Sequence, residues 1–230
     1  MGEWDVADAR LSAARQSGAM LAAPDAAAWR DLVDRLTGTR VLDARAWDEA
    51  SSLTASMSDS GWVRSTVNAI AEARRAWATQ DAAAFARVLQ VADDLQARAE
   101  AQPDREIARA AQLVQAAAAG GQYERDEMQL LLGEAHRTEV ALREALGELY
   151  VPVVIAAELE ADLWLQTDRY VRAAEVYRAV IAEHPARVQS WLGLADAYRR
   201  LGHAREADVA ETQARAIAPG FRTMSRAAPR

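Results

Sequence analysis

Three histidines, His136, His184 and His203, are the side chains best suited to metal binding or proton transfer near neutral pH. His184 precedes Pro185 and His203 follows Gly202, so both are expected in exposed turns. Glu134 and His136 stand two residues apart, a spacing that sends them to different faces of a helix. A di-iron bundle needs a Glu-x-x-His step on each of two helices, and the chain contains none. Cysteine is absent, which removes disulfides, thiolate metal sites and cysteine nucleophiles. Lysine is absent too, so neither a Schiff base nor the usual phosphate-binding lysine can be built. The plainest expectation for both gaps is the coding bias of a GC-rich genome. Carboxylates and arginines remain, with no Gly-rich phosphate loop or nucleophile elbow beside them. No catalytic residue, cofactor or metal is expected.

The elements that would position such groups are helices. The chain has 230 residues, 51% hydrophobic, and alanine, the best helix former, makes up about a quarter of it. Apolar residues recur at helical period almost everywhere, and no stretch alternates as a strand would. Trp29, Leu32, Val33 and Leu36 form one stripe, with Asp25 as its N-cap and Gly38 as its stop. A second helix is expected from Asp43 to about Ser56, then a loop at 58–61. Val63, Val67, Ile70 and Trp77 mark the next helix. Phe85, Val88, Leu89, Ala92 and Leu95 mark another, beginning at Asp81. Gln102-Pro103-Asp104 breaks the chain, since proline suits only the first turn of a helix. Ile107, Ala110, Ala111 and Val114 lead to Gly120-Gly121. Met128, Leu131, Leu132, Ala135, Leu142, Ala145 and Leu149 line a long helix, and Pro152 opens the one after it. The seven tryptophans, Trp4 apart, fall mostly on these stripes and are expected in the core.

A repeat emerges near the C-terminus. Ala161 and Ala195, Trp164 and Tyr198, Ala173 and Ala207, and Pro185 and Pro219 are each 34 residues apart. The second copy reads Trp191-x-x-Leu194-Ala195-x-x-Tyr198, then Gly202, Ala207, Ala214 and Pro219. This pattern resembles the tetratricopeptide repeat, a pair of antiparallel helices with small residues at the crossing and aromatics beside it. Glu211 departs from the pattern, standing where the family prefers an aromatic. In the first copy Ala157 and Glu160 replace the Trp and Leu, while Tyr177 keeps the second-helix aromatic.

The resemblance implies an all-α fold of about eleven helices, antiparallel hairpins stacked as a short α-solenoid. Residues 1–150 would form a helical region of degenerate repeats or a cap, 151–219 two repeat hairpins, and 220–230 a flexible arginine-bearing tail. In the family a partner lies along the concave face, lined by the first helix of each pair. The positions here are Glu158, Asp162, Leu165 and Gln166, then Leu192, Asp196, Arg199 and Arg200. Glu158, Asp162 and Asp196 would repel a C-terminal carboxylate and attract a segment with basic or apolar side chains. The plainer expectation is that Asp196 pairs with Arg199 or Arg200 on its own helix.

A non-enzymatic adaptor or assembly factor is therefore expected. The alternatives are a helical enzyme, or enzyme subunit, with its site in residues 1–150, and a module that stacks end to end with itself. A net charge of −7 argues against general nucleic-acid binding. The longest apolar run, Leu149–Ala157, has nine residues and is too short to span a bilayer. A cytoplasmic protein is expected, or a periplasmic one if a leader was removed.

Overall fold

The computed structural model describes residues 3–18, 22–43, 47–48, 50–55, 57, 61–147, 150 and 152–218. These residues form helices and connections, with no strand among them. The chain opens with α1 (Glu3–Gly18), α2 (Ala23–Asp43) and the short α3 (Ala50–Leu53). Four hairpins follow: α4 (Trp62–Thr79) with α5 (Ala82–Ala101), and α6 (Arg105–Gly121) with α7 (Arg125–Leu146). Then come α8 (Ala156–Gln166) with α9 (Tyr170–Glu183), and α10 (Val188–Arg200) with α11 (Ala204–Ile217).

One turn closes all four hairpins. Gln80, Tyr123, Asp168 and Gly202 each adopt positive φ, at 52°, 65°, 62° and 79°. Each donates its N–H three residues back. The following residue donates five residues back: Asp81 to Ala76, Glu124 to Ala119, Arg169 to Trp164 and His203 to Tyr198, at 2.8–3.0 Å. That pair of bonds is the Schellman closure, which satisfies carbonyls a helix end would otherwise leave bare. A second turn ends α5, α9 and α11, and at the first two it leads into the next hairpin. Gln102, His184 and Ala218 have φ of −133°, −130° and −131°, outside the helical region, and each precedes a proline. Proline disfavours α geometry in the residue before it, so the helix must stop there.

Local capping agrees with the pattern. Asp81 accepts the N–H of Ala84, and Asp104 accepts those of Glu106 and Ile107. The first helices, α4, α6, α8 and α10, pack side by side, and each packs on the second helix of its own pair. Alanines dominate the closest layer: Ala110, Ala111, Ala116, Ala117 and Ala118 of α6 are all buried. Beside them Gly121 lets α6 close on Phe85, whose Cε1 lies 2.5 Å from where a Cβ would sit. Val67, Ile70, Val88, Val114, Met128 and Leu163 fill the space between, and burying each such side chain contributes about 1.5–3 kcal/mol.

Several boundaries differ from the sequence reading. Gly38 does not stop a helix; it lies inside α2, where a Cβ would meet Val153, Val63 and Val67 at 2.9–3.0 Å. Its smallness serves close approach. Asp43 ends α2 rather than starting a helix, and among the described residues between it and Gly61 only Ala50–Leu53 is helical. Pro152 precedes α8 by four residues, because Val153 and Val154 first turn into the core. Leu89 and Ala145 point outward. Ser56, the loop at 58–60, Leu149, the side chain of Trp4 and the tail from residue 219 lie outside the described residues.

Candidate functional site

The first helices form one continuous face, and the residues expected on it divide sharply. Glu158 and Asp162 are buried, at 5% and 4% exposure. Glu158 accepts hydrogen bonds from Arg187 and Ser190, both at 2.5 Å. Asp162 accepts one from Tyr177 Oη and one from Gln189 Nε2 at 2.9 Å, and it pairs with Arg74 Nη1 at 3.3 Å. One carboxylate thus ties α8 to α9, α10 and, across α6, to α4. The expectation that these two acids form exposed rungs for a partner is corrected. Charged side chains survive burial only when paired this fully, and here they bind the stack itself.

Gly193 belongs to the same joint, since a Cβ there would overlap the Tyr177 ring. Leu192 is buried as well, in a small cluster with Val188 and Ala214. Leu165 and Asp196 are half-buried, and Arg199 and Arg200 are exposed. Arg199 pairs with Asp196 at 3.3 Å, as the plainer reading expects, and also with Glu211 of α11. Gln166 is buried with both amide atoms unpartnered.

A third buried pair was not legible at all. Arg109 of α6 donates to Glu139 of α7 at 2.5 Å and to the carbonyl of Val154. Glu139 also accepts from Ala156 N–H at 3.1 Å, at the start of α8, and from Arg143 at 3.1 Å. It fastens the second hairpin to the third. Tyr150 lies in the same region, and burial pushes its phenol up to about 12.

Glu211 has a positional reason. In α9 the side facing the next hairpin carries Ala174, Tyr177 and Ile181, buried or half-buried. Thirty-four residues on, α11 carries Asp208, Glu211 and Arg215. Glu211 pairs with Arg199 and with Arg215 at 2.5 Å. This side of α11 is therefore polar and paired within the chain.

The other end of the chain lies on the first-helix face. Among the described residues, α2 packs on α1, α3, α4 and α10 and on no second helix of the four hairpins. Arg35 of α2 donates to Glu106 of α6 at 2.6 Å and stacks over Trp62, 5.0 Å from its centroid. Burial works against the Arg35 charge, but hydrogen bonds to Glu106 and Asp31 outweigh it and raise its pKa. Beside this contact opens a cleft of about 640 Å³, lined by Asp31, Arg35, Trp62, Arg98, Asp104 and Ile107, with Gln102 and Pro103 at the turn. Its carboxylates hold Arg35 or cap α6.

Compared with known proteins, the chain matches no family model, no curated protein and no solved structure. Its chemistry must be read from its own geometry. His136 and His203 are exposed, and His184 is half-buried beside Arg143 at 3.3 Å. No group of three metal-ligating side chains occurs among the described residues, and none of the described helices is long and apolar enough to cross a membrane.

Proposed function

We propose that this chain is a non-enzymatic binding module of the tetratricopeptide type, an adaptor or assembly factor that takes a segment of another protein. The observation that carries this reading is α2 itself: the first-helix face of the stack accommodates a helix, seated on side chains from several repeats. Helix-in-groove recognition works by such apolar anchors with a few fixed charges. The four hairpins with a common closure support the same reading, because stacked units supply an extended face.

The partner's chemistry does not follow from an acidic ladder, since Glu158 and Asp162 are internal. Of the expected positions on α8 and α10, Leu165, Asp196 and Arg200 remain at the surface, with Arg199 turned toward α11. A mixed apolar and charged segment suits it better than a purely basic one.

The test is affinity capture from the native organism with mass spectrometry, with an Asp196→Arg/Arg200→Glu chain as control. Reversing Asp162 would unfold the joint and is unsuitable. A partner retained by the wild type and lost by this control supports the reading; equal capture by both refutes it at this surface. The enzyme alternative draws on the cleft at Arg35. Screening turnover of amide, ester and phosphoester probes against an Arg98→Ala chain decides it, with activity lost in the variant as the favourable result.

A further inference from the structure

We infer that the hairpin α1–α2 is a displaceable cover on the first-helix face, holding the place of a partner helix that carries an arginine followed three residues later by a glycine or alanine. This rests on the adaptor reading and adds to it the identity of the competing ligand, which is the chain's own N-terminal segment.

Three observations support a cover rather than a fixed layer. First, the hairpin is bonded within itself. Arg40 holds Asp8 through two bonds at 3.0 and 2.7 Å, Arg15 donates to Thr37 at 2.6 Å, and Trp29 Nε1 donates to the Ala14 carbonyl at 2.6 Å. Second, α1 packs on α2 alone among the described helices, so a single helix carries the attachment. Third, the attachment has the form of a ligand contact. Arg35 reaches Glu106 and Trp62, while Gly38 three residues on brings the backbone against Val63, Val67 and Val153. On the other side of α2, Leu32 and Leu36 remain 43% and 44% exposed. Its inward side buries Val33, Val41 and Leu42, so α2 is an amphipathic layer on the stack rather than a helix enclosed by it.

The seat specifies its occupant. Glu106 and the Trp62 ring take a guanidinium, whose planar cation both bonds a carboxylate and stacks on an aromatic face. The three valines take a small residue one turn later. An amphipathic helix that replaces α2 must also fill the places of Val41 and Leu42, which belong to the main core.

The absence of cysteine makes a clean lock available. The would-be Cβ of Gly38 lies 3.0 Å from Val67 Cγ2, within disulfide reach. We would measure hydrogen exchange and the binding of a fluorescein-labelled peptide of residues 24–43 on the full Gly38→Cys/Val67→Cys chain, oxidised and reduced. The expected result is peptide binding at least tenfold stronger in the reduced form. Exchange in residues 33–42 should be at least tenfold faster there, with α8–α11 unchanged. Equal peptide binding in both forms, or exchange that accelerates throughout the chain, would overturn the cover. If this variant fails to fold, an Arg35→Glu chain is compared with the wild type: peptide binding at least tenfold stronger and faster exchange confined to residues 33–42 are expected, and equal binding, or exchange that accelerates throughout the chain, overturns the cover. Failure of the adaptor reading looks different: the lock gates the peptide, yet the reduced chain captures no cellular protein.

Discussion

The hairpins α4–α7 and α8–α11 close in the same way and share almost no sequence. Their left-handed turn residues are Gln80 and Tyr123 in the first region and Asp168 and Gly202 in the second. Spacing between successive turns is 43, 45 and 34 residues. The longer N-terminal helices lengthen the hairpin without changing its closing turn. The lesson is that the unit is defined by backbone hydrogen bonds at the turn and by small residues at the crossing. The 34-residue register is one solution among several.

Each prediction probes whether the two regions are one kind of structure. The largest effects should come from the buried carboxylates. Glu139→Gln should cost about 3–5 kcal/mol in urea denaturation, because it leaves Arg109 buried without its counter-charge. Asp162→Asn should cost a similar amount, because Arg74 loses its counter-charge and an amide NH2 replaces the oxygen that accepts from either Tyr177 or Gln189. If Glu139 joins the two regions, its variant should also broaden the transition into two steps, which Asp162→Asn should not do.

Close approach at glycine comes next. Gly121→Ala presses on Phe85 in the first region and Gly193→Ala on Tyr177 in the second. Both should destabilise by about 1–3 kcal/mol, measured the same way. A neutral result at Gly121 would mean that the N-terminal crossing is looser than its counterpart.

The turn residues should give smaller and opposite effects. Gly202→Ala should cost about 1 kcal/mol, since a side chain is disfavoured at that φ. Gln80→Gly and Tyr123→Gly should gain up to about 1 kcal/mol, offset in part by the greater freedom glycine has when unfolded. Smallest in stability is the end cap. Glu211→Tyr with Arg215→Ile copies the side of α9 onto α11 and should leave folding nearly unchanged while producing concentration-dependent association in light scattering. The wild-type chain, with that end polar and paired, should not associate there.

The sequence showed helix content, most helix boundaries and the two C-terminal hairpins, because alanine-rich periodic stripes and Xaa-Pro stops act locally. It misled wherever one signal serves two purposes. Gly38 reads as a terminator, yet it is small because α2 lies against three valines. Glu158 and Asp162 read as surface ladder positions, since carboxylates usually are exposed. Their partners stand 15 to 32 residues away along the chain, and Arg74 further still. The common turn was hidden because three of its four left-handed residues are not glycine. Glu211 was visible as a departure from the 34-residue pattern, but its pairing with Arg199 and Arg215 was not.

Amide hydrogen exchange at the four turns tests the central claim most directly. The N–H groups of Asp81, Glu124, Arg169 and His203 should all be protected to a similar degree, because each donates to a carbonyl five residues back. Fast exchange at Asp81 and Glu124, with protection confined to Arg169 and His203, would contradict the claim that the two regions are built from one unit.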